Sequence, residues 1–216
     1  MFIIEEHSYK ALGYLLAVGG SGGAPGEKRP TLLYLHGAGK RGRDLNLLRS
    51  FSVLFGNACA QEAGLRICAP QCCSDSWFDI FEQLIEFADF VRSDPGTDPE
   101  RYYLCGASMG GYAAWQLAMS RPELFAAVTP ICGGGMYWNA QRLKDIPIWA
   151  FHGENDRRVF LSESVHMVDA VNAAGGHAKL TVYPGVEHNA WSPTFSDPAY
   201  WDWIVSQRRR PENINA

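Results

Sequence analysis

The pentapeptide Gly106-Ala107-Ser108-Met109-Gly110 sets a serine between glycines two positions away on either side. It follows an apolar run of strand character, Arg101 to Cys105, and leads into an alanine-rich helical stretch, Gly111 to Ser120, stopped by Arg121-Pro122. A strand that turns sharply into a helix has no room for side chains two positions from the apex, so small residues there are a steric requirement. The apex hydroxyl then projects outward, with the amide of Met109 aimed at the same space. Such a serine becomes a nucleophile only when a base removes its proton, and the base works best when a carboxylate orients it. Both groups follow at the ends of later apolar runs: Ile148 to Phe151 leads into His152-Gly153-Glu154-Asn155-Asp156, and Lys179 to Tyr183 leads through Pro184 to His188. The order Ser108, Asp156, His188 suits acyl transfer on a sheet whose strands alternate with helices.

Six histidines compete for the role of base. His7, His166 and His177 fall on an edge segment, a helix and a turn, where surface or packing roles are the default. His36 and His152 each precede a glycine at a strand end; bracing a loop by hydrogen bonds is the simpler role, and each stays a rival to His188. Glu154 is the rival acid to Asp156, two residues away. An oxyanion would need backbone donors, and His36-Gly37-Ala38-Gly39, directly after an apolar run, lets N–H groups approach a substrate carbonyl. The amides of Ala38 and Met109 are the expected pair. A phosphate-binding loop is disfavoured, because no G-K-[ST] follows and no G-x-G-x-x-G occurs.

The elements that must carry these residues repeat as strand, then helix, which argues for a parallel sheet covered on both faces. Met1 to Val18, broken at Gly13, suits an antiparallel pair of edge strands, and Gly19 to Pro30 a glycine-rich loop. Strands are then expected at Thr31 to Leu35, Leu65 to Ala69, Arg101 to Cys105, Leu124 to Pro130, Ile146 to Phe151 and Lys179 to Tyr183. Helices are expected at Ile80 to Arg92, Gly111 to Ser120, Leu161 to Ala174 and Pro198 to Gln207. Ile80, Leu84, Phe87 and Val91 share one face of the first helix. Arg208, Arg209 and Arg210 are expected to complement the carbonyl end of the last one.

With 216 residues, 47% of them hydrophobic, the chain can bury one sizeable core, so residues 1–216 are read as a single domain. A net charge of -4, from 23 acidic against 19 basic residues, argues against nucleic acid or an anionic membrane as partner. No run approaches the ~18 apolar residues that span a bilayer, and Met1 to Lys10 carries Glu5, Glu6 and His7. Cys59, Cys68, Cys105 and Cys132 sit in apolar stretches, as reduced buried cysteines do, while Cys72 and Cys73 lack a second cysteine pair or histidine at metal-ligand spacing. The chain is therefore read as cytoplasmic, with no metal.

Four stretches, Leu35-His36-Gly37-Ala38-Gly39-Lys40-Arg41-Gly42, Gly106 to Gly111, His152 to Val159 and Glu187-His188-Asn189-Ala190-Trp191, together resemble the α/β-hydrolase superfamily from about Leu32 onward. Within it the chain is similar to small phospholipase/carboxylesterase-like serine hydrolases, and to bacterial proteins of prolyl-oligopeptidase-like and polyhydroxybutyrate-depolymerase-like type. The resemblance implies an α/β-hydrolase fold with a mostly parallel central sheet, Ser108, Asp156 and His188 as triad, Ala38 and Met109 as oxyanion donors, and no cofactor. Many such enzymes insert a cap after the strand that here ends near Pro130, yet only about fifteen residues precede the next strand. That favours a small-molecule substrate with short or exposed ester groups over long-chain lipids. Trp77, Trp138 and Trp191, with Tyr137, fall on strand-end loops; the three tryptophans are candidate substrate-binding residues and equally candidate structural plugs. A serine peptidase and a hydrolase-fold binding protein without turnover are the alternatives to an esterase.

Overall fold

Strands buried on both faces read as unbroken apolar runs rather than alternating ones, and four such runs form the centre of the molecule. The computed structural model describes residues 1–19 and 27–209. Its sheet has eight strands: β1 (Ile3–Tyr9), β2 (Leu12–Val18), β3 (Arg29–Leu35), β4 (Arg66–Pro70), β5 (Thr97–Ala107), β6 (Ala127–Ile131), β7 (Ile148–Gly153) and β8 (Ala178–Tyr183). The order is β1-β2-β4-β3-β5-β6-β7-β8. From β4 to β8 every neighbour is parallel; β1, β2 and β4 pair antiparallel.

The helices are α1 (Asn46–Arg49), α2 (Ser52–Phe55), α3 (Ala58–Glu62), α4 (Phe81–Ser93), α5 (Met109–Ser120), α6 (Leu161–Ala173), α7 (Trp191–Ser196) and α8 (Pro198–Ser206). The period of two along each strand splits the core in two. Leu33 and Leu35 face one cluster with Leu84, Phe87, Trp115 and Met167 of α4, α5 and α6. Leu32 and Tyr34 face the other, with Phe55, Tyr200 and Trp201 from the short helices and α8. Leu84, Phe87 and Val91 are buried as the periodicity of α4 requires; Ile80 caps that helix and packs at the edge of the core.

Several expectations need correction. The N-terminal pair breaks at Lys10-Ala11, not Gly13: Tyr9 pairs with Leu12 across a two-residue turn in which Lys10 has φ 51. Of this pair only β1 is an edge strand, since β2 also pairs with β4. The expected loop ends before Arg29, which belongs to β3; residues 20–26 lie outside the described residues. The short helices between β3 and β4 went unforeseen, because four or five residues carry too few turns for a 3.6-residue period to register. Arg208 and Arg209 make contacts with Glu100 of β5. Arg208 Nη1 reaches Glu100 Oε2 at 3.9 Å, and the Arg209 N–H donates to the Glu100 carbonyl. The end of α8 is closed by Gln207, whose backbone and side-chain N–H groups donate to Ile204 and Trp203, and the Tyr103 hydroxyl lies within hydrogen-bond reach of the Gln207 and Val205 carbonyls, the former the nearer. Arg210 lies outside the described residues. All six cysteines are free thiols. No helix among the described residues is long and apolar enough to cross a membrane.

Candidate active site

The turn from β5 into α5 is tight enough that glycine is obligatory on both sides. A Cβ on Gly106 would lie 2.1 Å from the Gly110 carbonyl oxygen, and one on Gly110 would lie 1.9 Å from that of Leu35. Ser108, between them, has φ 56 and ψ -118, a strained backbone for a residue with a Cβ. Its N–H donates to Ile131 O and its carbonyl accepts from Tyr112 N, so the strain is held from β6 and from the first turn of α5.

His188, in the turn after β8, stands above this apex. Ser108 Oγ donates to its Nε2 at 2.8 Å, and its Nδ1–H donates to Asp156 Oδ2 at 2.6 Å. The direction follows from the carboxylate, which can only accept and so fixes the proton on Nδ1. Asp156 follows β7. Its Oδ1 accepts from the N–H groups of Arg158 (2.8 Å) and Val159 (3.1 Å), which fixes the plane of the carboxylate. Burial works to raise the Asp156 carboxyl, but the bonds from His188, Arg158 and Val159 outweigh it and hold it below the usual value. Glu154 is exposed and accepts from the Gly185 N–H, bracing the neighbouring turn rather than the histidine.

The two rival histidines have other work. His36 is buried; its Nε2 accepts from Cys72 N at 2.9 Å and its Nδ1–H donates to Gly37 O at 2.7 Å. Burial, with the nearby charges of Lys40 and Arg41, brings its pKa to about 4 against the bond to Gly37, so the ring is neutral. His152 is buried behind Asp156. Its Nε2–H donates to Val159 O at 2.9 Å and lies 3.4 Å from Asp156 Oδ2, while Nδ1 is 2.7 Å from Ser164 Oγ. His152 thus ties the Asp156 loop to α6, a contact that sequence spacing alone did not disclose. Ligand atoms of Cys132, His152 and Asp156 lie within 4.8 Å of one another. Each already has a protein partner, Cys132 Sγ through the His188 carbonyl at 3.2 Å, so the three form a hydrogen-bonded shell rather than an open metal cradle.

Ala38 opens a short 3-10 turn, Ala38–Lys40, and Met109 opens α5, so neither N–H has a carbonyl one turn earlier to donate to. A Cβ on Gly37 would sit 3.3 Å from both Ala107 O and Ser108 Cβ, which measures how closely this loop approaches the serine. The loop is held from below by Gln71, whose Nε2 donates to the carbonyls of Lys40 and Asp44.

A cleft of about 260 Å³ opens beside Ser108 and His188 and takes in Gly37, Ala38 and Trp191. Trp191 meets the His188 ring edge to face, centroids 5.5 Å apart. The other two tryptophans do not reach the cleft. Trp77 is fully buried, donating from Nε1 to the His36 carbonyl at 3.0 Å and packing on that ring, so it supports the loop from beneath. Trp138 is 73% exposed on a 3-10 helix, Tyr137–Leu143, outside the cleft. The aromatic walls come instead from Tyr34, Phe51 and Phe55. Phe51 and Phe55 lie in the short helical segment that lacked a readable period.

Residues 59–196 match the model of the dienelactone hydrolase family. Two curated relatives are similar over part of the chain. Carboxylesterase SOBER1 of Arabidopsis thaliana is 25% identical over 100 residues, 44% of each chain. Dipeptidyl-peptidase 5 of Porphyromonas gingivalis is 26% identical over 142 residues, covering 49% of this chain and 21% of that protein. The chain therefore spans less than half the length of the curated relatives it matches. Among solved structures, a thermostable esterase superposes with a TM-score of 0.85 at 32% identity, covering 96% of this chain and 63% of that one. The architecture is the α/β-hydrolase fold, with no cap domain among the described residues.

Proposed function

The chain belongs to the dienelactone hydrolase family, and on that premise we propose that it is a serine esterase, cleaving carboxylic esters through an acyl-enzyme on Ser108. The observation that carries this reading is the unbroken chain of hydrogen bonds from Asp156 through His188 to Ser108. Ser108 Oγ attacks the ester carbonyl carbon while its proton passes to His188 Nε2, and the resulting oxyanion accepts from the N–H groups of Ala38 and Met109. Collapse of the tetrahedral intermediate breaks the carbon–oxygen bond to the alcohol, which leaves with the proton from Nε2. Water then gives a proton to His188, attacks the acyl carbon and releases the acid, restoring Ser108. Asp156 keeps the imidazole in the Nδ1–H tautomer and offsets the imidazolium that forms at each step.

No step calls for a metal or organic cofactor, and the substrate is a small-molecule ester. The lack of a cap favours short or exposed ester groups over long acyl chains. We also read residues 1–216 as one catalytic unit, because both core clusters share a single sheet. Six cysteines held as thiols suit a reducing compartment such as the cytoplasm.

Peptide-bond cleavage is the second reading, favoured by the similarity to dipeptidyl-peptidase 5. The discriminating experiment follows p-nitrophenyl acetate and an aminoacyl p-nitroanilide with wild type and Ser108→Ala. Turnover of the acetate that falls by about 10⁴-fold or more in the variant supports the esterase. Turnover of the anilide alone transfers the reading to a peptidase, and turnover of neither by folded protein removes both.

A further inference from the structure

The cleft beside Ser108 has four aromatic side chains in its lining besides the two histidines: Tyr34, Phe51, Phe55 and Trp191. Tyr34 and Phe51 lie nearly parallel, centroids 5.6 Å apart at 15°. Phe195, buried behind them, meets both edge-on at 72° and 76°, so neither wall can rotate without losing that contact. Phe55, Leu48, Trp191 and Ala107 add to the apolar lining, and Lys40 and Arg158 are its charged residues. An apolar cavity of roughly 150 Å³ takes a benzene ring. The 260 Å³ here therefore holds a ring and a link of about two atoms reaching back to the serine.

Rigid, flat walls discriminate between apolar guests of equal area. A planar ring gains stacked or edge contacts beyond its buried area and has almost no internal rotation to lose. An alkyl chain of the same size must freeze several bonds to enter. The chemistry decides which half of an ester lies there. The alcohol leaves in the first step, whereas the acyl group stays attached to Ser108 until water removes it, and a subsite bounded by packed rings suits the group that stays.

We propose that this cleft is an aryl-acyl subsite, and that the preferred substrates are esters of small aromatic acids, the ring joined to the carbonyl directly or through two carbons. The proposal rests on the esterase reading and names its substrate class. It also revises the argument from the missing cap. Cover for the acyl group comes from α1 and α2, between β3 and β4, and not from the connection after β6.

The test compares kcat/KM for ethyl acetate, ethyl hexanoate and ethyl cinnamate by titration of released acid, each divided by that ester's own rate of alkaline hydrolysis. The expected result is cinnamate ahead of hexanoate by at least about ten-fold, with acetate last. Phe51→Leu, which keeps an apolar side chain but removes the ring, is expected to lower the cinnamate-to-hexanoate ratio about five-fold or more. Inhibition of wild type by phenylboronic and butylboronic acids gives the same comparison without a variant, phenyl binding the more tightly. Hexanoate equal to or above cinnamate, or butyl the tighter boronate, overturns the aryl subsite. Acetate preferred, with turnover dependent on Ser108, overturns it while leaving the esterase reading intact. No ester hydrolysed by folded wild type overturns both together.

Discussion

Two connections rise from the same edge of the sheet, and their aromatic residues meet opposite fates. Between β3 and β4, the chain turns through α1, α2 and α3; Leu48, Leu54 and Phe55 are buried, and Phe51 lines the cleft. Between β6 and β7, the short 3-10 helix anchors itself through buried Ala140 and Leu143 and leaves Met136, Tyr137 and Trp138 at 37%, 57% and 73% exposure. The first segment has a second layer to pack against, α7 and α8, so its rings are enclosed on both sides. The second rests on α5 and α6 by one face and leaves its first residues in solvent. Aromatic content on a strand-end loop therefore does not mark a binding wall; a layer behind the loop does.

The sharpest way to break this contrast is Phe55→Ala. If the β3–β4 segment is a packed wall, loss of this ring costs about 3–5 kcal/mol of stability, read by denaturant unfolding, with a rise in KM for the preferred ester. A cost below about 1 kcal/mol would reduce the segment to a loose flap.

The acid sensitivity of the same wall is next. His36 has a depressed folded-state pKa of about 4, so as pH falls below the ordinary histidine value the unfolded chain takes up the proton first and stability is lost. From these values the loss is roughly 2 kcal/mol by pH 5 and about 3 kcal/mol below pH 4. It is fully absent well above pH 6.5, the unperturbed value. Melting temperatures of wild type and His36→Gln between pH 7.5 and pH 4.5 check it. The variant should start lower and fall less steeply, and parallel curves would remove His36 as the source. Asp156 acts in the same direction, its depressed carboxyl losing its contribution as pH falls through the folded-state value.

Gly37→Val comes third. A side chain there crowds the Ala107 carbonyl and Ser108 and displaces the Ala38 amide, for an expected loss of about 10²-fold in kcat with a smaller change in KM. A normal kcat would show that this loop donates nothing to the oxyanion. Trp138→Ala should do least. Its ring is 73% exposed, so stability should stay within about 0.5 kcal/mol and kcat/KM within about two-fold. A large loss of activity there would restore the β6–β7 connection to the site.

The residues brought together at the site were those whose local sequence states a steric or chemical need. Gly106 and Gly110 flank Ser108 because a Cβ at either would collide with backbone, and that need is visible in five letters. Asp156 and His188 were readable because each follows a strand end in the right order. The strands β3, β4, β6 and β7 were legible as apolar runs, with boundaries off by one to three residues where hydrogen bonding, not hydropathy, decides the ends. The helices α1, α2 and α3 were not legible, nor were the cleft walls on them. Trp77 and Trp138 looked alike in sequence, yet one is a fully buried support and the other a surface ring.

The chain by itself therefore determined the alternation of strand and helix, the tight turn at Ser108 and the order of Ser108, Asp156 and His188 at successive strand ends, since each depends on spacing along a few consecutive residues. Only tertiary structure decided that His188, not His36 or His152, meets Ser108, that Asp156 rather than Glu154 faces it, and that the aromatic wall comes from the β3–β4 connection. Those outcomes depend on which segments, far apart along the chain, pack against one another. Two loops of similar composition differ in burial according to what lies behind them, and no local pattern records that.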